Sequence, residues 1–321
     1  MGGFPDVAAF DALYGQRSLD QDSRSREVSH MESRTSVECA DAAEGVPFAT
    51  HRVSGGDGTR LHACEWGNRR GPSLLLIHGW SQSQLCWSRQ VRSHLADRFH
   101  IVTFDNRGHG MSEKPLVCER YTNPRLWADD VAAVIDRTGL DRPVLVAWSY
   151  GGFIVSDYVR AYGEDAIAGI NLVGGAVTLR PPKFDHLGAG LLANAEEACS
   201  SDLNTSIAAI LRFLRAATTR PLAQDDWDTT VCANMVVPPE VRNALISRDL
   251  ENDDILSTLT IPVLVTHGRS DNIVLGSMAE HIATVCTTTR LSWYDNAGHM
   301  PFLEDADRFN GELAEFVASV N

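Results

Sequence analysis

Three side chains with the chemistry of acyl transfer each follow a short apolar run of the sequence. Ser149 comes after the run 143–147, Asp271 after 261–266 and His299 after 290–294. A serine hydroxyl is a weak nucleophile and needs a neighbouring base, commonly a histidine, which in turn needs a carboxylate to orient it. The three residue types therefore predict nucleophilic catalysis, provided that the fold brings them to one place.

The residues around Ser149 predict a sharp turn between a strand and a helix. The sequence Ala147-Trp-Ser-Tyr-Gly151 joins a buried strand to a helical stretch, with small residues two positions before and after the serine. This is the context of a nucleophile elbow, in which a strained serine projects its hydroxyl above a sheet and small neighbours let strand and helix approach. Ala147 stands where the motif has its first glycine, and we expect the turn to accept one extra methyl group.

Short apolar runs alternate with helical stretches along most of the chain. Such alternation predicts right-handed βαβ crossovers and a mostly parallel sheet, here opened by an antiparallel hairpin around Gly55–Gly58. The predicted strands are Phe48–Ser54, Thr59–Trp66, Ser73–Ile77, His100–Phe104, Pro143–Ala147, Ile167–Val173, Ile261–Thr266 and Arg290–Tyr294. The predicted helices are Gln84–Asp97, Pro124–Thr138, Gly151–Tyr162, Ser277–Cys286 and Asp307–Val320.

One stretch interrupts the alternation and contains only helical patterns. Apolar residues at helical spacing follow Asn204, a candidate N-cap, and Pro238-Pro239 is a second helix start. We predict a flexible N-terminal extension over 1–46, a core over 47–178 and 259–321, and a helical cap over 179–258. The cap is expected above the carboxyl edge of the sheet, where ligands bind in open α/β folds.

Other acidic and imidazole groups compete for the roles of Asp271 and His299. Asp295 and Asp105 are the rival carboxylates, but Asp295 is expected at a strand end beside the loop of the histidine itself. No acid occurs in 171–177, the end of the sixth predicted strand. His267 lies close to the end of a strand and is interpreted as a structural residue that satisfies backbone groups.

Composition narrows the class of partner. The chain has 321 residues, 28 Lys plus Arg and 42 Asp plus Glu, so the formal net charge of −14 disfavours nucleic acid and anionic membrane surfaces. No apolar run approaches the roughly 20 residues of a spanning helix, and the N-terminus lacks the layout of a secretory signal. Seven scattered cysteines without a Cys-x-x-Cys pair are expected to be free thiols of a cytoplasmic protein, not a metal site.

Five motifs, in this order, resemble those of the α/β-hydrolase superfamily over about residues 48–321. They are His78-Gly-Trp80, Asp105-Asn-Arg-Gly-His-Gly-Met-Ser112, Ala147–Gly151, Gly268-Arg-Ser-Asp271 and Gly298-His299. The resemblance, closest to the capped esterase, perhydrolase and epoxide-hydrolase-like branch, implies an eight-stranded, mostly parallel α/β sheet flanked by helices, with a helical cap. It also implies an oxyanion hole made by the backbone N–H groups of Trp80 and Tyr150. By the same resemblance, His78 and the 105–112 turn are expected to be structural.

The serine at position 149 separates this chain from the epoxide hydrolases and dehalogenases of the superfamily, which carry an aspartate at the elbow. A serine with a base attacks acyl carbons, so the predicted reaction is hydrolysis of a small to medium, largely apolar carboxylic ester, without metal or organic cofactor. Trp148 and Phe213 are expected to line the pocket. Three other reactions remain open for the same triad: C–C bond hydrolysis, lactone hydrolysis and cofactor-free perhydrolysis. A ligand receptor on the same fold is the alternative of another class.

Overall fold

The computed structural model describes residues 46–179, 183–248 and 250–321. The predicted N-terminal extension lies outside the described residues, apart from its last position. The described chain forms one eight-stranded sheet in the order β1-β2-β4-β3-β5-β6-β7-β8. The strands are β1 Ala49–Ser54, β2 Arg60–Gly67, β3 Ser73–Ile77, β4 His100–Asp105, β5 Val144–Trp148, β6 Gly169–Val173, β7 Val263–Gly268 and β8 Thr289–Tyr294.

All strand pairs are parallel except those that β2 makes with β1 and β4. The opening antiparallel hairpin and the mostly parallel sheet are therefore as the sequence predicts. Strands β3 to β7 are buried at every position, whereas the outer strands β1 and β8 are partly exposed. This burial explains the continuous apolar runs of the inner strands, because helices cover a parallel sheet on both faces.

Helices fill the connections between the strands. The helices outside the segment between β6 and β7 are α1 Ser88–Val91, α2 Leu95–Arg98, α3 Glu119–Thr122, α4 Pro124–Thr138, α5 Gly151–Tyr162, α12 Gly276–Val285, α13 Pro301–Glu304 and α14 Ala306–Val320. Helix α4 packs against α5, and α14 packs against α1 and β6. No helix among the described residues is long and apolar enough to cross a membrane.

The single helix predicted over Gln84–Asp97 is wrong. The structure has a 3-10 turn at Gln84–Trp87 followed by the separate short helices α1 and α2. The side chain of Ser83 accepts from the Leu85 N–H, and the Gln84 N–H donates to Asp105 Oδ1 at 2.8 Å. These bonds fix a tight turn under the sheet edge, so tertiary contacts override the helical periodicity.

The segment between β6 and β7 is helical in its described part, apart from two isolated bridges at Thr178–Glu251 and Leu187–Val274. It contains a 3-10 turn at Lys183–His186, then α6 Ala189–Leu192, α7 Ala195–Ala198, α8 Leu203–Ala216, α9 Gln224–Met235, α10 Pro239–Ile246 and α11 Asp253–Leu256. Helix α10 begins at the predicted proline pair. The predicted N-cap Asn204 is wrong by two residues: Asp202 caps α8, since its carboxylate accepts from the Thr205 N–H at 2.8 Å.

The register of the sheet aligns the strand ends that lead to the predicted site. Ile77 at the end of β3 pairs with Ala147 of β5, and Val173 at the end of β6 pairs with both Trp148 and Thr266. The loops after β3, β5, β6 and β7 therefore emerge side by side at one edge.

Candidate active site

Ser149 sits at a strained turn directly after β5. Its φ is +55°, a left-handed conformation that costs a non-glycine residue about 1–3 kcal/mol. Glycines make room for this turn: a Cβ at Gly79 would lie 2.9 Å from the Ser149 Cβ, and a Cβ at Gly151 would lie 3.0 Å from the Ile77 carbonyl oxygen. That hypothetical Gly151 Cβ would be 3.4 Å from the Ala147 methyl, an ordinary van der Waals distance, so the turn has room for alanine at the first small position.

Asp271 and His299 form a buried pair beyond β7 and β8. The Nδ1 atom of His299 lies 2.7 Å from Asp271 Oδ2, and both side chains are almost fully buried. The other carboxylate oxygen, Oδ1, accepts from the N–H groups of Ile273 at 2.8 Å and Val274 at 3.0 Å. With the proton held on Nδ1, the second ring nitrogen is left as an acceptor. Within the described residues His299 Nε2 is buried and has no hydrogen-bond partner.

The loop that carries His299 is fastened from two sides. The His299 N–H donates to the Ala217 carbonyl of the helical segment at 2.7 Å. The His299 carbonyl accepts from the indole N–H of Trp148, the residue before Ser149, at 2.9 Å. His299 is therefore held in place by backbone bonds as well as by the Asp271 carboxylate.

The rival carboxylates occupy other positions. Asp295 is exposed and pairs with Arg269 at 2.7 Å. Asp105 is buried but holds a turn, because it accepts from the backbone N–H groups of Gln84 at 2.8 Å and Met111 at 2.9 Å. Neither is hydrogen-bonded to His299.

Two further histidines lie near the site and bond to the backbone. His267 Nε2 is 2.9 Å from the Val274 carbonyl and 3.5 Å from Asp271 Oδ2, and burial lowers its pKa. His78 Nε2 accepts from the Asn106 N–H at 3.0 Å, and burial lowers its pKa well below the usual value. Both are arranged as neutral residues that fasten loops, in line with the structural roles predicted for them.

Several backbone donors around Ser149 are unused within the described residues, and the two expected in the oxyanion hole are among them. In the part of the chain that the structure describes, neither the Trp80 N–H nor the Tyr150 N–H meets a hydrogen-bond acceptor. A buried N–H without a partner is rare in folded proteins. Gly79, Trp80, Ser149 and Tyr150 all line the same pocket, so both donors belong to loops that meet at the serine.

The pocket above Ser149 and His299 is apolar. Its cavity volume, measured as the space open to the centre of a water-sized sphere, is about 50 Å³, and its lining includes the predicted residues Trp148 and Phe213. Core and helical segment both contribute further apolar side chains, namely Phe153, Ala176, Leu179, Leu187, Leu191, Ile246, Ile273 and Val274. Among the described residues, His299 and Tyr150 are the only ionisable side chains that line the pocket. A charged group bound there would therefore lose its hydration without a compensating charge.

Gly174 is a site residue that the sequence reasoning missed. Its φ is +48°, and a Cβ there would lie 3.0 Å from His299 Nδ1 and 3.3 Å from Asp271 Oδ2. The signal was present in the sequence: two glycines, Gly174 and Gly175, directly follow the sixth strand, and a close approach of another group to the backbone is a common reason for glycine. In the described residues no group of acidic, histidine or cysteine side chains is arranged to hold a metal ion.

Comparisons with known proteins agree with this architecture. The family model of the alpha/beta hydrolase fold matches residues 72–306. A non-heme haloperoxidase from Rhodococcus erythropolis is 26% identical, over 85% of this chain and 100% of its own. A bifunctional esterase/perhydrolase from Acinetobacter calcoaceticus is 27% identical, over 82% of this chain and 98% of its own.

Among solved structures, an esterase from a Rhodococcus species is 34% identical and superposes with a TM-score of 0.80, covering 85% of this chain and 99% of that one. The range that the family model matches includes Ser149, Asp271 and His299, together with the whole helical segment. The chain belongs to the α/β-hydrolase fold family of enzymes.

Proposed function

We propose that the protein is a serine hydrolase that cleaves a small to medium, largely apolar carboxylic ester through an acyl-enzyme. Ser149 is the nucleophile, His299 the general base and acid, and Asp271 the group that orients the imidazole. The observation that carries the proposal is the Asp271–His299 pair at 2.7 Å, with the second imidazole nitrogen unpartnered at a pocket that it shares with the strained serine.

In the first half-reaction the Ser149 hydroxyl attacks the ester carbonyl while His299 Nε2 accepts its proton. The carbonyl oxygen becomes an oxyanion, which the N–H groups of Trp80 and Tyr150 stabilise; removing one such donor typically costs about 10²–10³ in rate. The imidazolium then protonates the leaving alcohol. In the second half-reaction water attacks the carbonyl carbon of the acyl-enzyme while His299 Nε2 accepts its proton. The bond to the Ser149 oxygen then breaks and His299 returns the proton to that oxygen, which releases the acid and restores the serine.

The pocket supports an uncharged, apolar substrate. Its lining is dominated by aliphatic and aromatic side chains, and the helical segment contributes Phe213 and Ile246 to it. We therefore assign residues 179–258 as a cap that sets substrate choice, above a hydrolase core of 47–178 and 259–321. The names of the esterase relatives support this reaction class.

A fluorophosphonate probe and a series of p-nitrophenyl esters test the proposal. We expect one covalent adduct on Ser149 by mass spectrometry, and turnover that varies with acyl-chain length. Ser149→Ala should remove both the adduct and the turnover while leaving the fold intact. Folded wild-type protein that forms no adduct and turns over no ester would overturn the proposal, and stoichiometric labelling without turnover would favour a receptor.

Perhydrolysis is a second candidate, favoured by the names of two relatives, a haloperoxidase and an esterase/perhydrolase. In that reaction hydrogen peroxide replaces water as the second nucleophile, so that the acyl-enzyme gives a peracid and free serine. Halide oxidation in the presence of acetate and hydrogen peroxide, absent in Ser149→Ala, would support it. Ester turnover without any halide oxidation would exclude it.

A further inference from the structure

One helix of the cap touches the side chains of both proposed oxyanion-hole residues. The Trp80 indole N–H donates to the Arg242 carbonyl at 3.2 Å, and the Tyr150 hydroxyl donates to the Leu245 carbonyl at 3.1 Å. Both carbonyls belong to α10, three residues apart, so they lie on the same face of the helix. The Leu245 carbonyl is among the last four of α10, which have no acceptor role inside the helix and are free to receive an outside donor.

The same helix also contacts the loop that carries Trp80, through a buried arginine. Arg242 is 2% exposed, and its Nε donates to the Ser81 hydroxyl at 2.9 Å. Its remaining hydrogen bonds go to the Ala198 carbonyl at 2.8 Å, to Ser206 Oγ at 2.9 Å and to the Asn234 carbonyl at 2.6 Å. Every acceptor that Arg242 has among the described residues is neutral. Burying a cation without a countercharge is expensive, several kcal/mol even after relaxation, so this arrangement needs a reason beyond packing.

Ser81, the residue that Arg242 binds, has an unusual backbone. Its φ is +58°, a conformation that is costly for any residue with a side chain. Its N–H donates to His109 Nε2 at 3.2 Å, and the Arg242 bond holds the hydroxyl on the other side. Ser81 directly follows Trp80, so these bonds fix the loop whose N–H faces the oxyanion.

A second arginine braces the other half of the hole. Arg248 Nη1 donates to the Tyr150 hydroxyl at 3.3 Å, and its buried Nη2 donates to both carboxylate oxygens of Asp157, at 2.7 and 2.9 Å. Burial raises the pKa of Tyr150 to about 12, so the hydroxyl remains a donor to the Leu245 carbonyl. Tyr150 is thus fastened to the cap at its ring end and to the nucleophile turn at its backbone end.

We propose that α10 positions the oxyanion hole, with Arg242 as the principal positioning residue, so that the cap contributes to the rate of the chemical step as well as to substrate choice. This inference rests on the proposed function. Because the two N–H groups act on charge that exists only in the transition state, misplacing them lowers kcat and leaves substrate binding nearly unchanged.

Arg242→Gln tests the inference, since glutamine keeps a polar side chain but cannot span the four acceptors. The matched control is Arg212→Gln, an arginine of the same segment that is half exposed and pairs with Glu197 at the surface. With a p-nitrophenyl ester we expect kcat of Arg242→Gln to fall about 10- to 100-fold with KM within about threefold of wild type. A boronic acid, which becomes tetrahedral when the Ser149 oxygen adds to its boron atom, should lose affinity in parallel with kcat. The control should match wild type in each measurement.

Trp80→Phe and Tyr150→Phe keep the test decisive if Arg242→Gln does not fold. Tyr150→Phe removes the hydroxyl's bonds to the Leu245 carbonyl and to Arg248, and Trp80→Phe removes the indole bond to the Arg242 carbonyl together with part of a ring that lines the pocket. Both leave the backbone N–H in place, and each should lower kcat by about tenfold. Folded variants with wild-type kcat, or with a loss confined to KM, would overturn the inference while the hydrolase assignment stands. A wild-type protein that neither turns over esters nor labels at Ser149 would instead remove the proposed function, and the inference with it.

Discussion

Replacing Asp271 by asparagine changes the proposed triad with little change of shape. The amide oxygen can take the place of Oδ1 and accept from the N–H groups of Ile273 and Val274, at 2.8 and 3.0 Å in the native chain. The amide nitrogen then takes the place of Oδ2 and faces His299 Nδ1, 2.7 Å away. Two donors cannot share that bond, so Nδ1 must become the acceptor and the ring proton must move to Nε2.

A His299 that carries its proton on Nε2 cannot take one from Ser149. The imidazolium that forms during attack also loses the carboxylate that stabilises it. Together these effects predict a fall in kcat of about 10⁴, which corresponds to about 5.5 kcal/mol in the activation free energy at about 1.4 kcal/mol per tenfold. The loss of stability should be small by comparison, because both backbone bonds of the loop are retained.

The assay is steady-state hydrolysis of a p-nitrophenyl ester, with thermal unfolding followed in parallel. Asp295→Asn is the matched control: this carboxylate follows β8 but is exposed and paired with Arg269, so its kcat should equal that of the wild type. A folded Asp271→Asn enzyme with kcat within tenfold of wild type would refute the assignment of the acid. An equal loss in Asp295→Asn would refute the argument from geometry.

Two further changes probe the supports of the site. Gly174→Ala adds a Cβ 3.0 Å from His299 Nδ1, at a φ of +48°, and should lower kcat at least tenfold by separating the Asp271–His299 pair; unchanged turnover would show that the pair tolerates the methyl group. Burial lowers the pKa of His109 from 6.5 to about 4. On acidification the unfolded chain therefore takes up the proton at a higher pH than the folded chain does. The stability that neutral His109 provides is complete above about pH 6.5 and is lost as the pH falls toward 4. At about 1.4 kcal/mol per pKa unit the loss amounts to about 3 kcal/mol. In urea unfolding between about pH 4 and 7, the free energy of unfolding of His109→Gln should therefore fall less steeply with decreasing pH than that of wild type, and equal slopes would contradict this prediction.

The sequence was sufficient to predict the parallel sheet because the inner strands are covered on both faces and leave continuous apolar runs. It also placed Ser149, Asp271 and His299 at strand ends, and strand ends of a parallel sheet share an edge. The helix predicted over 84–97 failed for a different reason. Its apolar spacing is real, but Asp105, distant in sequence, binds the Gln84 N–H and imposes a turn.

The contacts of Arg242 could not be predicted from the sequence for the same reason, because they join residues that are distant in sequence. Its acceptors are two hydroxyls and two carbonyls from four separate places in the chain, and no periodicity or motif encodes such a set. Burial of an arginine is also contrary to its usual preference for the surface. Tertiary packing alone determines it, so only the folded chain reveals it.

The hydrogen bond from the His299 N–H to the Ala217 carbonyl bears on how such enzymes can be engineered. Exchanging the segment between β6 and β7 for that of a relative is an obvious way to transfer specificity. In this chain the exchange would also remove the Ala217 carbonyl, which accepts from the His299 N–H. It would remove as well the carbonyls of Arg242 and Leu245, which accept from the side chains of Trp80 and Tyr150. A chimera that gains a new pocket should therefore lose turnover until carbonyls are rebuilt at those three points, so the natural unit of exchange is the cap together with the loops it holds.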